Sequence, residues 1–256
     1  MSDLNILEFG EGGGVPAVLI HGFTGDGARW VMLEEPLGAH HKMYAMEMPN
    51  HGGSPKRPIA DFDALVAEVL AAFDALALPR AHVVGHSLGG AVATALAAAR
   101  PEQAASLSLL GPAGFGPRAA YETLKGLSTA TAPEDLRHLY KRLVYDPALV
   151  TDEWVELATE IRAEDALRAA QASMGEALFP GGQVSFDVVP VLGALALPTQ
   201  IIWGKEDAIL DWQGALRAPG RVALHLFERM GHIPQLEATE AVADLLLRHF
   251  AGAERA

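Results

Sequence analysis

Gly85-His86-Ser87-Leu88-Gly89-Gly90 follows the apolar pair Val83-Val84 and leads into the alanine-rich stretch Ala91–Ala99. A strand that turns sharply into a helix strains the residue at the turn. Glycines two positions to either side relieve crowding against the neighbouring strands and helix. In this strand–turn–helix setting the pattern G-x-S-x-G reads as a nucleophile elbow. The serine oxygen then stands clear of a sheet, at the positive end of a helix. The composition of the chain, with its 26 glycines, would supply only roughly 0.08 such matches by chance.

Working outward, Ala17–Ile20, Met43–Met48, His82–Gly85, Ser106–Leu110, Thr199–Trp203 and Val222–Phe227 read as short buried strands. Between them, Phe62, Leu65, Val66, Val69, Phe73 and Leu76 recur at helical spacing, which predicts a helix over 61–77 with Asp61 as N-cap and Pro79 as stop. Ala238–Phe250 is a second amphipathic helix. Strands alternating with helices predict a mostly parallel sheet covered on both faces. Leu4–Phe9 adds an antiparallel edge strand, with Gly10 and Gly12–Gly14 as the following loop. Residues 115–195 break the alternation and carry helical periodicity alone. Leu136, Leu139, Tyr140, Leu143 and Val144 mark one helix there, opened by a Thr131–Glu134 capping box. Trp154, Leu157 and Ile161 mark another, and Leu167–Leu178 a third. The expected organisation is an α/β core of residues 1–114 and 196–256, with residues 115–195 inserted between two strands as a helical cap. Ala251–Ala256 is expected to fray.

Half of the 256 residues are hydrophobic and a fifth are charged, as in a globular chain. The net charge of −13 argues against nucleic-acid backbones and anionic membrane surfaces. No apolar run exceeds the five residues of Val69–Phe73 and Ala95–Ala99, too short to span a bilayer. Met1–Phe9 lacks a basic segment, so a cytoplasmic chain without a signal peptide is expected. With no cysteine there is neither a disulfide nor a thiol nucleophile. No H-E-x-x-H, Walker or complete G-x-G-x-x-G pattern occurs, so neither a metal nor an organic cofactor is expected.

A serine hydroxyl needs a base. His232, in Met230-Gly231-His232 after the strand Val222–Phe227, stands where an open α/β sheet places its site. His86, beside the nucleophile, reads as packing, and His21, His51 and His82 as supports for loops and strand ends. His40, His41, His138, His225 and His249 read as surface or partly buried. The base in turn needs a carboxylate to orient it. Gly204-Lys205-Glu206-Asp207 follows the strand Thr199–Trp203 and supplies Asp207, with Glu206 and Asp211 as rivals. The backbone N–H groups of Phe23, in His21-Gly22-Phe23-Thr24-Gly25, and of Leu88 are the candidate oxyanion donors. Phe115, Tyr140 and Trp154 are candidates to line an acyl pocket and to set its chain-length preference.

The stretches HGFTG at 21–25, PNHGGS at 49–54, GHSLGG at 85–90, WGKED at 203–207 and GHIPQLE at 231–237 together resemble the α/β-hydrolase superfamily over essentially the whole chain. The resemblance implies an α/β-hydrolase fold, Ser87 as nucleophile, His232 as base, Asp207 as its acid, Phe23 and Leu88 as oxyanion donors, and a helical cap at 115–195. LLGPAGFGP at 109–117, YDPALVT at 145–151 and IIWGKED are similar to the hydrolase-like C-terminal domain of dihydrolipoamide acetyltransferases of acetoin-cleaving complexes. Those carry a lipoyl domain ahead of this region, and a chain without that swinging arm is expected here. Two positions depart from the superfamily's usual D-x-P-G-x-G: Glu47 replaces its Asp and Asn50 its Gly. The reading that results is a serine hydrolase acting on an ester, thioester or similar carbonyl of a small, mostly apolar substrate. Acyl transfer, C–C bond hydrolysis, cofactor-free haloperoxidase-like chemistry and a non-catalytic small-molecule receptor are the alternatives. The sequence sets no oligomeric state.

Overall fold

In the computed structural model, which describes residues 3–255, one seven-stranded sheet runs in the order β1-β3-β2-β4-β5-β6-β7. The strands are β1 Ile6–Gly13, β2 Ala17–Ile20, β3 His41–Met46, β4 Ala81–His86, β5 Ala104–Leu110, β6 Thr199–Gly204 and β7 Ala223–Phe227. β1 pairs antiparallel with β3 at the edge, and every other pairing is parallel. Side chains alternate across a strand, so a sheet covered on both faces needs consecutive apolar residues. Val83, Leu109 and Ile201 enter one apolar core while their neighbours Val84, Leu110 and Ile202 enter the other.

The helices are α1 Glu34–Leu37, α2 Phe62–Ala75, α3 Leu88–Ala99, α4 Tyr121–Thr129, α5 Pro133–Lys141, α6 Asp152–Arg162, α7 Asp165–Leu178, α8 Val189–Ala194, α9 Pro234–Glu237 and α10 Thr239–Glu254. α2 and α3 cover the first face through Val69, Phe73, Val92 and Leu96. On the second, Trp30 and Leu37 meet Leu246 and Phe250 of α10. Helices α4 to α8 occupy the chain between β5 and β6, where helical periodicity alone was read, so the two ends of the insertion leave and rejoin adjacent strands of the sheet.

Several local expectations are corrected. Gly10 and Gly12 lie within β1, not in a loop, because the strand runs on to Gly13 with an irregular register after Phe9. A Cβ on Gly12 would lie 2.1 Å from the His40 carbonyl carbon, so the bare backbone is what lets this edge close. Asp61 does cap α2, accepting from the Ala64 N–H at 2.8 Å. The helix ends at Ala75, just short of the expected 77, with Ala77 in the left-handed region at φ +50°. The Thr131–Glu134 capping box is not made. Pro133 sits at the first helical position, which makes Ala132 the N-cap. In α6 the inward face is Val155, Ala158 and Arg162, whereas Leu157 is 56% and Ile161 39% exposed. α10 stays helical to Glu254 rather than fraying from Ala251. Met1, Ser2 and Ala256, at the ends of the predicted N-terminal segment and fraying tail, lie outside the described residues.

Candidate active site

Ser87 stands between β4 and α3 with φ +54° and ψ −120°, a conformation that a non-glycine residue adopts only at a cost. Hydrogen bonds hold it there. Its N–H donates to the Leu110 carbonyl at 2.9 Å, and its carbonyl accepts from Gly90 and Ala113, each at 2.9 Å. The flanking glycines permit close contact. A Cβ on Gly85 would lie 2.2 Å from the Gly89 oxygen, and one on Gly89 would lie 2.2 Å from the Ile20 oxygen.

Three side chains that are far apart in sequence converge at this turn. His232 Nε2 is 3.0 Å from Ser87 Oγ, and His232 Nδ1 is 2.7 Å from Asp207 Oδ2. Asp207 has no solvent-accessible side-chain surface. Its Oδ1 accepts from the Ile209 and Leu210 N–H groups at 2.7 and 3.0 Å, and Oδ2 also accepts from Trp203 Nε1 at 2.9 Å. Burial alone would raise the Asp207 pKa. The charge and hydrogen bond of His232 and the two backbone donors outweigh it and hold the carboxyl below the usual range. An ionised Asp207 therefore keeps the proton on His232 Nδ1 and leaves Nε2 as the acceptor facing the serine.

The two rival acids do other work. Glu206 is an exposed residue whose Oε2 accepts from the Met230 N–H at 3.1 Å. Asp211 caps the 3₁₀ turn Trp212–Arg217 through the Gln213 N–H. Gly204 serves close packing. A Cβ there would lie 2.1 Å from the Met230 oxygen, which is how the His232 loop comes down beside the strand end.

His86 takes no part as a base. Its Nε2–H donates to the His232 carbonyl at 2.7 Å, and burial together with the neighbouring His232 pushes its pKa down to about 3. His21 and His51 lock the loop after β2 to the loop after β3. The Met48 N–H donates to His21 Nε2 at 3.1 Å, and the Thr24 N–H to His51 Nε2 at 3.0 Å. Burial lowers both imidazole pKa values, so both rings are neutral acceptors. Within this lock Asn50 has φ +68°, the left-handed conformation that asparagine tolerates in place of glycine. Glu47 is buried and binds Gly27 N–H, Gly53 N–H and Asn5 Nδ2, so its extra methylene is used to reach three separate segments. Among the described residues, the N–H groups of Phe23 and Leu88 have no hydrogen-bond partner within the chain.

One functional residue was not recognised in the sequence. Glu237 accepts from the N–H groups of Gly231 and Ile233, on either side of His232, at 2.9 and 3.1 Å. It also accepts from Tyr145 N–H at 2.7 Å, which ties the histidine loop to the insertion. Burial pushes its carboxyl pKa up, while the three donors oppose the rise. A signal lay in GHIPQLE itself, a carboxylate one helical turn beyond the histidine. Glu237→Ala is expected to cost about 1–3 kcal/mol of stability, because three N–H groups lose their acceptor. It should also lower kcat by about tenfold as His232 loses its anchor. Thermal unfolding and kcat measured side by side check this, and wild-type values for both would refute the anchoring role.

Ser87 opens into a chamber of about 50 Å³ whose walls include Leu124, Leu127, Tyr140 and Leu143 from the insertion, with Ile209 and Ile233 from the core. Tyr140 thus shares a chamber with Ser87. Trp154 does not reach this chamber. It stacks on Tyr140 at 4.7 Å and lines a wider outer cleft of about 540 Å³, beneath the guanidinium of Arg29. Phe115 is placed elsewhere, buried edge-on against Trp203 at 6.0 Å and bordering a separate cleft beside Arg118 and Arg217, so it is not a wall of the chamber that holds Ser87.

Residues 17–245 match the model of the alpha/beta hydrolase family. The dihydrolipoyllysine-residue acetyltransferase component of the acetoin cleaving system of Pseudomonas putida is 36% identical over 95% of this chain, which spans 65% of that relative's length. The 2-hydroxymuconate semialdehyde hydrolase of Pseudomonas sp. (strain CF600) is 30% identical, covering 96% of this chain and 90% of the relative. A solved meta-cleavage product hydrolase from Pseudomonas fluorescens IP01 superposes with a TM-score of 0.84 at 30% identity, over 98% of this chain and 94% of that one. No helix among the described residues is long and apolar enough to cross a membrane.

Proposed function

The chain belongs to the alpha/beta hydrolase family, and from that premise we propose that it is a serine hydrolase of short-chain acyl esters or thioesters. The observation that carries the reading is the continuous hydrogen-bonded line from Asp207 through His232 to Ser87. In the proposed reaction Ser87 Oγ attacks the substrate carbonyl as His232 Nε2 takes its proton. The Phe23 and Leu88 N–H groups receive the oxyanion. His232 returns the proton to the leaving group, and the acyl group stays on Ser87. A water deprotonated by His232 then attacks the acyl carbonyl, and His232 passes that proton to Ser87 Oγ as the acid leaves. The insertion acts as a cap that walls the acyl chamber and limits its contact with water. Small-molecule turnover needs no other group in this scheme.

Chamber size narrows the acyl group. A cavity of roughly 150 Å³ holds benzene, so one of about 50 Å³ seats an acyl chain of about two or three carbons. Leu127→Ala is expected to raise the kcat/KM ratio of hexanoate to acetate p-nitrophenyl esters by at least about tenfold, the worth of a methylene or more in an apolar pocket. Phe115→Ala should leave that ratio within about threefold. A Leu127→Ala ratio equal to that of the unaltered protein would remove the chamber as the selector.

A second reading, hydrolysis of a C–C bond, is favoured by the near full-length likeness to two hydrolases of ring-cleavage products. Labelling with a fluorophosphonate, followed by parallel assays with p-nitrophenyl acetate and 2-hydroxymuconate semialdehyde, decides between them. Fast ester turnover supports the leading reading, and exclusive consumption of the semialdehyde the second. A labelled protein that turns over neither is a receptor. Acetyl transfer to added dihydrolipoamide in preference to water would make the same site a transferase.

A further inference from the structure

We propose that His41, His82 and Glu254 form a zinc-binding site at the end of the sheet opposite Ser87. The three residues come from the start of β3, the start of β4 and the last turn of α10. One ligand-capable atom from each lies within 4.8 Å of the others. His82 Nε2 is 3.2 Å from Glu254 Oε1, and His41 Nδ1 is 4.0 Å from the same oxygen. Ligands of a tetrahedral zinc ion, with bonds of about 2.0–2.1 Å, stand roughly 3.3 Å apart. The His82–Glu254 pair is already at that spacing, and an ion would draw the remaining pairs in by about 1.5 Å at most.

The donors fit zinc in type and in support. Two imidazoles and one carboxylate suit Zn²⁺ rather than Ca²⁺ or Mg²⁺, which take oxygen ligands. Both rings are held in place. His82 is fully buried and stacks on Phe250 at 4.0 Å, while His41, 6% exposed, meets the same ring edge-on at 5.2 Å. His82 has a second partner of the kind that orients a metal-bound histidine, its Nδ1 lying 2.8 Å from Ser106 Oγ. His41 Nδ1 lies 2.9 Å from the Val15 carbonyl, so for Nδ1 to take an ion its proton moves to Nε2 and that hydrogen bond is given up. Facing a carboxylate, His82 Nε2 carries the ring proton and Ser106 donates to Nδ1. With an ion at Nε2 the proton sits on Nδ1 and the serine hydroxyl turns to accept it. The switch is a tautomer change with no net loss of a proton. Glu254, the exposed member on the last helical turn, is free to adjust to the ion. A site closed in this way clips α10 to two strands of the sheet. It differs from a plain hydrogen-bonded network in having an affinity for the ion.

The test uses the whole protein, freed of metal with a chelator and then titrated with Zn²⁺. One equivalent per chain is expected to bind, with a Kd on the order of 10 µM or tighter. The unfolding midpoint should rise by about 5 °C or more at a hundredfold excess over Kd. Glu254→Gln and His82→Gln should each weaken binding at least about tenfold, while His40→Ala, an exposed neighbouring imidazole, should leave it unchanged. If His82→Gln does not fold, Glu254→Gln on the helix end carries the comparison alone. Binding no tighter than about 1 mM, or unchanged stoichiometry and affinity in Glu254→Gln, overturns the site. None of these readouts depends on activity at Ser87.

Discussion

Ser87→Ala is expected to lower kcat for p-nitrophenyl acetate by at least about 10³ while leaving the unfolding midpoint within a few degrees. In serine proteases the loss of the nucleophile costs on the order of 10⁶ in kcat, and a residual rate persists from binding and the oxyanion donors. The fold should tolerate the change because what holds the turn is backbone: the Ser87 N–H to Leu110 and the Ser87 carbonyl to Gly90 and Ala113. Among the described residues, the side-chain oxygen is joined to His232 alone. Alanine meets the same φ +54° strain as serine, so the strain does not change between the two proteins. The discriminating pair of measurements is turnover and fluorophosphonate labelling on one preparation. Turnover near the unaltered level, in protein shown to be free of contaminating esterase, would remove Ser87 from the chemistry.

Asp207→Asn should cost at least about 10² in kcat, against about 10⁴ for the corresponding change in serine proteases. The hydrogen bonds explain why a nearly isosteric residue is not tolerated. Both Asp207 oxygens accept: Oδ1 from two backbone N–H groups, and Oδ2 from His232 Nδ1 and Trp203 Nε1. If the asparagine oxygen keeps the backbone pair, its NH₂ faces two donors. His232 must then move its proton to Nε2, where it can no longer accept from the serine. If the amide turns round, the Ile209 and Leu210 N–H groups lose their acceptor instead. Either orientation leaves buried donors unpaired, at a stability cost of about 1–3 kcal/mol. Glu206→Gln and Asp211→Asn should each keep kcat within about tenfold, because Glu206 holds the Met230 N–H and Asp211 a local turn. All three variants and the unaltered protein are compared at one fixed pH. A crippled Glu206→Gln beside a healthy Asp207→Asn would reassign the acid.

Folded-state linkage gives this acid a pH signature as well. The Asp207 pKa is depressed in the folded protein. The carboxylate therefore contributes stability above its unfolded value of about 3.9, and that contribution fades as pH falls through the lower folded value. Asp207→Asn should accordingly lose more stability relative to the unaltered protein at neutral pH than in acid.

What the sequence by itself determined is what is written in contiguous residues. Runs such as Val83–Val84 and Ile201–Ile202 are apolar at every position because both faces of the sheet are covered, and that constraint acts residue by residue. The elbow is equally local, since Gly85, Ser87 and Gly89 lie within one turn. Helical periodicity likewise placed the insertion between β5 and β6 without any knowledge of its partners. The tertiary structure alone decided whatever depends on residues far apart in the chain. It set the 3.0 and 2.7 Å separations among Ser87, His232 and Asp207. It put Tyr140 at the chamber wall, Trp154 one cleft further out and Phe115 behind Trp203. It made Glu237 the anchor of the histidine loop, and gathered His41, His82 and Glu254 from positions with no common spacing. The reason is physical: periodicity records which face of an element is buried, while the identity of what it is buried against depends on how separate elements pack, and no local pattern carries that.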